Sequence, residues 1–432
     1  QSVQFINLSA TDVIQNSTLS PEVLSLPDVV IRAGDEDPAI QIIRNAIRYR
    51  KEHLNEVEAY NVNVYVKGME RLLEAPKKFL GKDIDKLTRS MGLDSNRQGI
   101  LYLSESQSVL SFLRPNNYRE KMVASKVSGS NRGYSFNRAT DLQMNFYHNY
   151  VNLEGLLTRP IISPIADNAF FYYRYELLGT SIQDGRMINK IRVIPRRRKD
   201  PVFRGNIYIL ENSWHIYSVE LNIFKEAGMN LVDTLKITQS FYPVNSKAWM
   251  PSSLKVDFTG HLLGFRYEGY YLAAYKNYDF SQPVIKKKDF AESLRITAEV
   301  NKKDSVYWQE VRPIPLTQAE QLDYQKKQVF AIKQESKQYI DSVEREHNQF
   351  KPLSFVIGSG YHYKNTCKNK NYAFSSLINS VFFNSIEGWG INYSSTYTKS
   401  IDSVLDKQLR LTGTMRYGFK NSRIHAHGTG SF

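Results

Sequence analysis

Near its C-terminal end, the chain reads WGINYSSTYT from Trp389 to Thr398 and QLRLTGTMRYGF from Gln408 to Phe419. In both stretches, apolar or aromatic residues alternate with small or polar ones. A period of two residues predicts β-strands with one apolar and one polar face. Strands of about ten residues with aromatic ends are typical of proteins that cross a bacterial outer membrane as a β-barrel.

The same alternation begins after Pro352, where Leu353, Phe355 and Ile357 are each followed by a smaller residue. Residues 351–432 would hold roughly four or five such strands, whereas a membrane barrel needs about eight. An open sheet edge is unstable in lipid because its backbone groups find no partner there. We therefore predict that residues 351–432 are the N-terminal part of an outer-membrane β-barrel, truncated at Phe432. The alternative is a soluble amphipathic sheet.

A charged helix is predicted immediately before these strands, from about Thr317 to Gln349. Pro313 and Pro315 precede it, and Thr317 with Glu320 fits a capping box, in which side chains bond the free amides of the first turn. The many Lys and Glu residues indicate a mostly exposed connecting helix, which we assign to residues 316–350.

The centre of the chain, residues 31–315, has the pattern of an antiparallel sheet with a few helices. An apolar period of 3.6 predicts a helix from Asp35 to about Tyr60. Alternating segments predict strands at Tyr60–Val66, Gly99–Leu103, Tyr172–Leu178, Lys190–Ile194, Gly205–Leu210 and Trp214–Phe224, and a hairpin at Leu254–Tyr278. The fold class is mainly β with α (α+β). Residues 1–30 are too short for a domain and are interpreted as a tail or linker.

The chain of 432 residues carries a net charge of +14 and one cysteine, Cys367. One cysteine excludes a disulfide within the chain, and no apolar run reaches the roughly 18 residues of a transmembrane helix. A basic surface attracts polyanions such as lipid phosphates, lipopolysaccharide or nucleic acid, or it serves solubility alone. Because no nucleic-acid-binding module is visible, we predict no nucleic-acid partner.

The densest basic run is Arg196, Arg197, Arg198 and Lys199. Arginines of this kind bind phosphate or carboxylate groups through paired hydrogen bonds, although a solvated hairpin loop explains the run equally well. The predicted hairpin supplies aromatic side chains that suit a partner surface. The candidate contact residues for a partner or anion are therefore Arg196, Arg197, Arg198, Lys199, Tyr267, Tyr270 and Tyr271.

His53 and Glu56 have the H-x-x-E spacing of a metallocarboxypeptidase zinc pair, which needs a third His ligand. His148 is the nearest candidate, but two surface residues on a helix explain the pair better. His425 and His427, two apart on a predicted strand, are interpreted as polar lining. No phosphate-binding or nucleophile motif is present. We predict no catalytic residue, no cofactor and no metal.

Several phrases together resemble a Bacteroidota outer-membrane family of unknown function that carries an N-terminal carboxypeptidase-like regulatory domain. These phrases are DPA (37–39), IIRNAI (42–47), LSES (103–106), SKVSG (125–129), FY (146–147), ISPIA (162–166), YRYELLG (173–179), IRVIPR (191–196), FRG (203–205), FNSIEGW (383–389) and YGF (417–419). The resemblance implies a transthyretin-like β-sandwich ending within residues 1–30, a periplasmic α+β domain and a C-terminal barrel. In this family, "carboxypeptidase" denotes a non-catalytic accessory fold.

The middle of the chain is also similar to lipoprotein-carrier domains, over Lys190–Pro195, Gly205–Leu210 and Trp214–Leu221. In such domains a curved antiparallel sheet holds an acyl chain or an extended polypeptide. This similarity implies a ligand-holding sheet in the centre of the chain.

We therefore predict a non-enzymatic outer-membrane protein whose periplasmic domain binds an envelope partner in outer-membrane biogenesis. The partner would be a lipoprotein, an unfolded outer-membrane protein or assembly machinery, and the barrel would contact lipid and lipopolysaccharide. One alternative is a channel or transporter gated by the periplasmic domain. A second is a zinc metallopeptidase that uses His53 and Glu56.

Overall fold

The computed structural model describes residues 36–129, 138–152, 159–229, 231–244, 248–281, 290, 292–297, 299–402 and 407–432. The predicted tail at residues 1–30 lies outside these residues. The chain divides into two compact units, the first ending at Asp323 and the second running from Tyr324 to Phe432. This division falls within the predicted connecting helix.

The first unit is built on strands. They are β1 (Ala59–Glu74), β2 (Lys78–Phe79), β3 (Lys82–Asp83), β4 (Gly99–Leu113), β5 (Asn117–Val127), β6 (Tyr150–Val151), β7 (Ile161–Ile162), β8 (Tyr173–Gln183), β9 (Arg186–Pro195), β10 (Arg204–Leu210), β11 (Ile216–Phe224), β12 (Thr234–Pro243), β13 (Trp249–Leu262), β14 (Phe265–Asp279) and β15 (Leu294–Ile296). Each predicted strand of residues 31–315 falls on one of them.

Eleven of these strands form one sheet, in the order β15-β5-β4-β1-β14-β13-β12-β11-β10-β9-β8. All neighbours are antiparallel except β15, which pairs with β5 in parallel. Successive hairpins run from β8 to β14, and β14 then returns to pair with β1. The prediction of a mainly β fold with helices and a large antiparallel sheet is confirmed.

The first helix, α1 (Pro38–Leu54), packs on one face of this sheet. Asp37 caps it by accepting from the Ala39 amide at 2.9 Å, as Asp does at many helix starts. Ile43 and Ala46 are fully buried in the core. The helix was expected to continue to about Tyr60. It ends at Leu54, and strand β1 begins at Ala59. The last turn therefore lies beside the strands.

The other face of the sheet carries a buried polar network. On β1, the side chains of Val64 and Val66 enter the main core, whereas those of Tyr65 and Lys67 point to the opposite face because residues alternate along a strand. The Lys67 ammonium lies 3.2 Å from the Glu320 carboxylate, and both side chains are buried. The N-terminus of the predicted connecting helix is thus anchored rather than exposed.

The next helices along the chain are α2 (Asp85–Ser90), α3 (Ala169–Tyr172), α4 (Ser305–Val311), α5 (Gln318–Glu335) and α6 (Lys337–His347). The capping box is confirmed, because the Thr317 amide donates to Glu320 at 2.9 Å and the Glu320 amide donates to the Thr317 hydroxyl. The single predicted helix is instead two, since Ser336 has an extended backbone and caps α6.

The second unit holds α6, α7 (Pro352–Ile357), α8 (Leu377–Ser380) and strands β16 (Tyr361–Asn365), β17 (Lys370–Phe374), β18 (Val381–Asn384), β19 (Gly388–Asp402), β20 (Lys407–Gly418) and β21 (Arg423–Ser431). The strands form an antiparallel sheet in the order β16-β17-β19-β20-β21, with β18 paired to β19. The predicted strands at Trp389–Thr398 and Gln408–Phe419 are confirmed.

The prediction of a strand at Leu353–Gly358 is wrong, because Pro352–Ile357 form helix α7. Pro352 occupies the first helical position, where its fixed φ favours a helix. An alternation over only six residues does not separate a strand from a short helix.

Candidate functional site

A cavity of about 1040 Å³ lies between the sheet of the first unit and the residues that cover it. Its floor takes residues from six adjacent strands, β5, β4, β1, β14, β13 and β12. The C-terminal end of α1 and part of the segment 138–152 complete the wall. Ligand sites of proteins are typically concave spaces of roughly 300–1,000 Å³.

The lining is mainly apolar and aromatic. Its apolar and aromatic members are Leu54, Val57, Tyr60, Phe112, Tyr118, Leu142, Met144, Tyr147, Tyr150, Val151, Phe241, Trp249, Met250, Pro251, Val256 and Tyr271. Polar groups occur at fewer points, which include His53, Glu56, Arg138, Asp141 and His148. A mostly apolar cavity with a few polar groups is the usual composition of a small-molecule site.

One polar cluster at the cavity consists of two imidazoles that are hydrogen-bonded to the same carboxylate. The Glu56 Oε1 atom lies 2.7 Å from His53 Nδ1 and 2.7 Å from His215 Nε2. The two imidazole rings pack at a centroid distance of 3.7 Å. The side chains of His53 and His215 are only 5% and 9% exposed. In these three residues, the His53–Glu56–His215 cluster, His53 and Glu56 are three residues apart, whereas His215 is remote in the sequence.

Local structure places each member. His53 lies in the last turn of α1, and Glu56 follows the helix directly. His215 lies at the end of the turn from β10 to β11, which closes when the Leu210 amide donates to the His215 carbonyl at 2.9 Å. Trp214 in that turn has φ +58°. A bulky residue is uncommon in this left-handed region and such positions concentrate at functional sites.

Tyr147 connects the two histidines to residues 138–152, the covering segment of the cavity. Its ring lies 5.6 Å from the His53 ring, and its hydroxyl accepts from the Ile216 amide at 2.9 Å. The buried Arg50 guanidinium donates to the Tyr147 carbonyl at 2.9 Å and pairs with Asp167 at 2.7 Å. The orientation of the cluster is thus fixed from α1, from β11 and from the covering segment.

Glu56 is ionised at neutral pH. Burial on its own would raise the pKa of its carboxyl group, but hydrogen bonds from His215 and His53 outweigh burial and bring the pKa to about 2. Hydrogen bonds to the charged form of a carboxyl group favour that form. Among the described residues, the ion-pair partners of Glu56 within 4.0 Å are these two imidazoles.

The four predicted basic contact residues lie outside the cavity. Arg196, Arg197, Arg198 and Lys199 are exposed where β9 ends. The Arg196 guanidinium donates to the carbonyls of Phe170 and Tyr173. β9 lies five strands from β14, which is about 24 Å along the sheet at roughly 4.8 Å per strand.

The three predicted tyrosines do not form one surface. Tyr271 lines the cavity and its hydroxyl donates to Glu70. Tyr270 points to the opposite face, where its hydroxyl donates to Glu320. Tyr267 lies outside the cavity lining, and its hydroxyl donates to the Leu231 carbonyl. The seven candidate residues are therefore in different places, and their contact with a partner remains a prediction.

His215 is the ligand candidate that sequence reasoning missed. The H-x-x-E spacing pointed to His53 and Glu56 with His148 as the nearest third candidate, but no metal site was predicted. His148 lines the same cavity, but the group of possible metal ligands is His53, Glu56 and His215. No local signal marks His215, because only the fold brings it to Glu56. His425 and His427 are exposed on β21.

Among the described residues, no helix is both long and apolar enough to cross a membrane.

The fold defines a mainly β protein whose large antiparallel sheet carries an apolar cavity. The chain belongs to the family described as "Family of unknown function (DUF5686)", whose model matches residues 42–278. The model of the C-terminal domain of the same family matches residues 353–432. The predicted membership of a family of unknown function is confirmed. A search of curated proteins finds no match to this chain.

Solved structures share a distant likeness with the chain. A DUF1329 family protein from Desulfovibrio piger is 10% identical, covers 59% of this chain and 100% of its own, and has a TM-score of 0.25. A LolA superfamily protein from Nitrosomonas europaea is 11% identical, covers 58% and 97%, and has a TM-score of 0.21. A putative outer membrane lipoprotein-sorting protein domain from Vibrio parahaemolyticus is 12% identical, covers 58% and 94%, and also scores 0.21. With scores this low, the likeness identifies neither a ligand nor a partner for this chain.

Proposed function

We propose that the first unit is a non-enzymatic binding domain of the cell envelope whose cavity holds the acyl chain of a lipid or lipoprotein. The observation that carries the proposal is the cavity of about 1040 Å³ over six adjacent strands, with its mainly apolar and aromatic lining. Removing an acyl chain from water gains about 0.8 kcal/mol per CH₂ group. A long apolar floor therefore suits such a ligand.

The backbone of the floor favours an acyl chain over an extended polypeptide. Each floor strand pairs with a neighbour on both sides, so its amides and carbonyls are used within the sheet. A bound peptide would bury its own backbone groups against side chains, and unpaired buried amides are costly. An acyl chain has no such groups. The exposed Arg138 guanidinium at the cavity suits the carboxylate or phosphate of a lipid headgroup.

Binding of a fluorescent polyene fatty acid to the purified chain tests the proposal. Leu142 lines the cavity and is half-buried, so Leu142→Trp fills space that the ligand needs. We expect the wild-type chain to bind the probe and the variant to bind at least about tenfold more weakly, which corresponds to about 1.4 kcal/mol. Leu101→Trp is the matched control, because Leu101 is 39% exposed and outside the cavity lining.

Two results would contradict the acyl-chain proposal. One is the absence of probe binding by the wild-type chain under conditions where an apolar peptide binds. The other is an equal loss of binding in Leu142→Trp and Leu101→Trp, because the loss would then not arise in the cavity.

We further propose that the strands within residues 351–432 are lipid-facing strands of an outer-membrane β-barrel. The support is an inverted exposure pattern on β20, where Leu411 and Met415 are 46% and 60% exposed while Thr412 and Thr414 are half-buried. Contiguous exposed apolar residues mark a surface for lipid or a partner. The first unit would then lie in the periplasm of a Bacteroidota cell, behind a carboxypeptidase-like regulatory domain, and bind an envelope protein partner. Outer-membrane lipid and lipopolysaccharide would contact the strands.

A further inference from the structure

The His53–Glu56–His215 cluster is more specific than acyl-chain binding requires. An apolar ligand needs no half-buried carboxylate between two imidazoles. We propose that His53, Glu56 and His215 bind a divalent transition-metal ion of the zinc class through two imidazole nitrogens and one carboxylate oxygen. The proposal does not depend on the ligand of the cavity.

The donor set fits this class of ion. Two His nitrogens with one carboxylate oxygen form the protein ligands of known zinc sites that keep a further position open. Imidazole nitrogen selects zinc, copper, nickel or iron over magnesium and calcium, which prefer oxygen. One Glu56 oxygen faces a nitrogen of each histidine, at 2.7 Å in both cases. All three donor atoms lie within 4.8 Å of one another.

The separations are close to those of a metal-bound site. Zinc lies about 2.0–2.2 Å from N and O ligands, which places two tetrahedral ligand atoms roughly 3.3 Å apart. The donor atoms here are at hydrogen-bond distance, so an ion that replaced the hydrogen-bonded protons would spread them by about half an ångström. Because the ligands lie on a helix end and on turns rather than inside strands, a shift of this size is accessible.

Charge also points to a cation at this position. Buried carboxylates in proteins are paired with a cation or coordinate a metal. Among the described residues, the ion-pair partners of Glu56 are His53 and His215, and no Lys or Arg nitrogen lies within 4.0 Å of its carboxylate. A divalent ion held by both imidazole nitrogens would neutralise this carboxylate. Because His53 and Glu56 line the cavity, the cavity gives the ion access and room for water as a fourth ligand.

Metal titration of the purified, chelator-treated chain tests the proposal. We expect one Zn²⁺ per chain by calorimetry, and Co²⁺ should give the visible absorption of a four-coordinate N/O site. His215→Asn should weaken Zn²⁺ binding at least about tenfold, because the loss of a residue that only hydrogen-bonds a metal ligand already weakens binding by about that factor. Glu56→Gln, which keeps the shape of the side chain, should do the same. His261→Asn is the matched control and should leave the affinity unchanged, because His261 is exposed on β13 and lies outside the cavity lining.

Circular dichroism of each variant separates loss of a ligand from loss of the fold. The proposal is overturned if the wild-type chain binds no Zn²⁺, in which case the cluster is a hydrogen-bonded structural element. It is also overturned if folded His215→Asn binds as tightly as the wild type, or if His261→Asn weakens binding as much as His215→Asn. Acyl-probe binding is measured separately, so failure of the metal site leaves the cavity proposal standing.

Discussion

At the scale of single residues, the ion pair of Lys67 with Glu320 has the most direct energetic consequence. The two side chains are 3% and 2% exposed. Removing one partner of a buried pair leaves an uncompensated charge in a low-dielectric environment and costs about 3–5 kcal/mol. We therefore predict that Lys67→Met destabilises β1 by an amount in this range, measured by hydrogen–deuterium exchange of peptides that cover this strand.

A surface pair provides the control for this prediction. Arg44 and Glu36 form an ion pair at 2.7 Å with side chains 51% and 58% exposed. Exposed pairs contribute about 0–1 kcal/mol because water screens them. Arg44→Met should hardly change exchange in the first unit. The double variant Lys67→Met with Glu320→Leu should recover much of the stability that Lys67→Met loses. Equal effects of Lys67→Met and Arg44→Met on exchange would contradict the prediction.

We predict that the Glu320 carboxylate makes the stability of the first unit depend on pH. Burial would raise the pKa of Glu320, but hydrogen bonds from Tyr270 and the Thr317 amide and the charge of Lys67 outweigh burial and lower it. A lowered pKa in the folded state stabilises the protein above the pKa of the unfolded state, about 4.3. This contribution is lost as the pH falls through the pKa of the folded state.

Glu320→Gln isolates that contribution. We expect the melting temperature of the variant to lie well below that of the wild type at neutral pH. The difference should shrink as the pH is lowered below about 4.3. Melting is followed by near-ultraviolet circular dichroism over a series of buffers. A difference that stays constant down to acidic pH would show that the ionised Glu320 carboxylate is not the stabilising group.

Residue-level sequence reasoning noticed two residues of the candidate site but interpreted them wrongly. The H-x-x-E spacing drew attention to His53 and Glu56, but the pair was interpreted as two surface residues on a helix. Glu56 instead follows α1, and both residues are half-buried. The third member, His215, is remote in sequence, and only the pairing of β10 with β11 brings it to the end of α1. Tyr270 was misplaced for a similar reason, since alternation gives two faces but does not say which face carries the cavity.

At the scale of elements, sequence reasoning found many but not all of the long strands. β1, β13, β14, β19 and β20 each span ten or more residues and were predicted, whereas β5 and β12, which also span ten or more residues, were not. Short patterns failed, as at α7, where six residues fit a strand and a helix equally well. The break between α5 and α6 was missed because Ser336 lies in a stretch with high helix propensity, and its cap acts through local geometry.

Strand β20 allows a test of the lipid-facing proposal. Met415 is 60% exposed on the apolar face, and Thr414 lies beside it on the other face. An Arg on the lipid face of a barrel costs about 2–4 kcal/mol near the membrane centre, whereas lumen positions tolerate polar side chains. Met415→Arg should reduce recovery of the folded chain from the outer membrane, and Thr414→Arg should not. Equal recovery of both variants would contradict a lipid-facing role for this strand.

At the scale of the whole molecule, the boundary between the two units has a structural reason. The helix that sequence reasoning assigned wholly to a connector contributes its first turn to the first unit. Glu320 pairs with Lys67 there, and the Ser128 hydroxyl donates to Asp323 at 2.7 Å. The predicted domain end at residue 315 leaves both contacts out. A sequence pattern reports exposure along a helix, but it does not report which sheet residue the first turn meets.

This boundary leads to a prediction about fragments. A fragment of residues 36–323 retains the Lys67–Glu320 ion pair, whereas a fragment of residues 36–315 leaves the Lys67 ammonium buried without its carboxylate. We expect the longer fragment to melt cooperatively at a higher temperature and to bind the acyl probe. Lys67→Met in the longer fragment should lower its melting temperature toward that of the shorter one, because both changes break the Lys67–Glu320 pair. If the two fragments melt at the same temperature, the first turn of α5 does not stabilise the first unit.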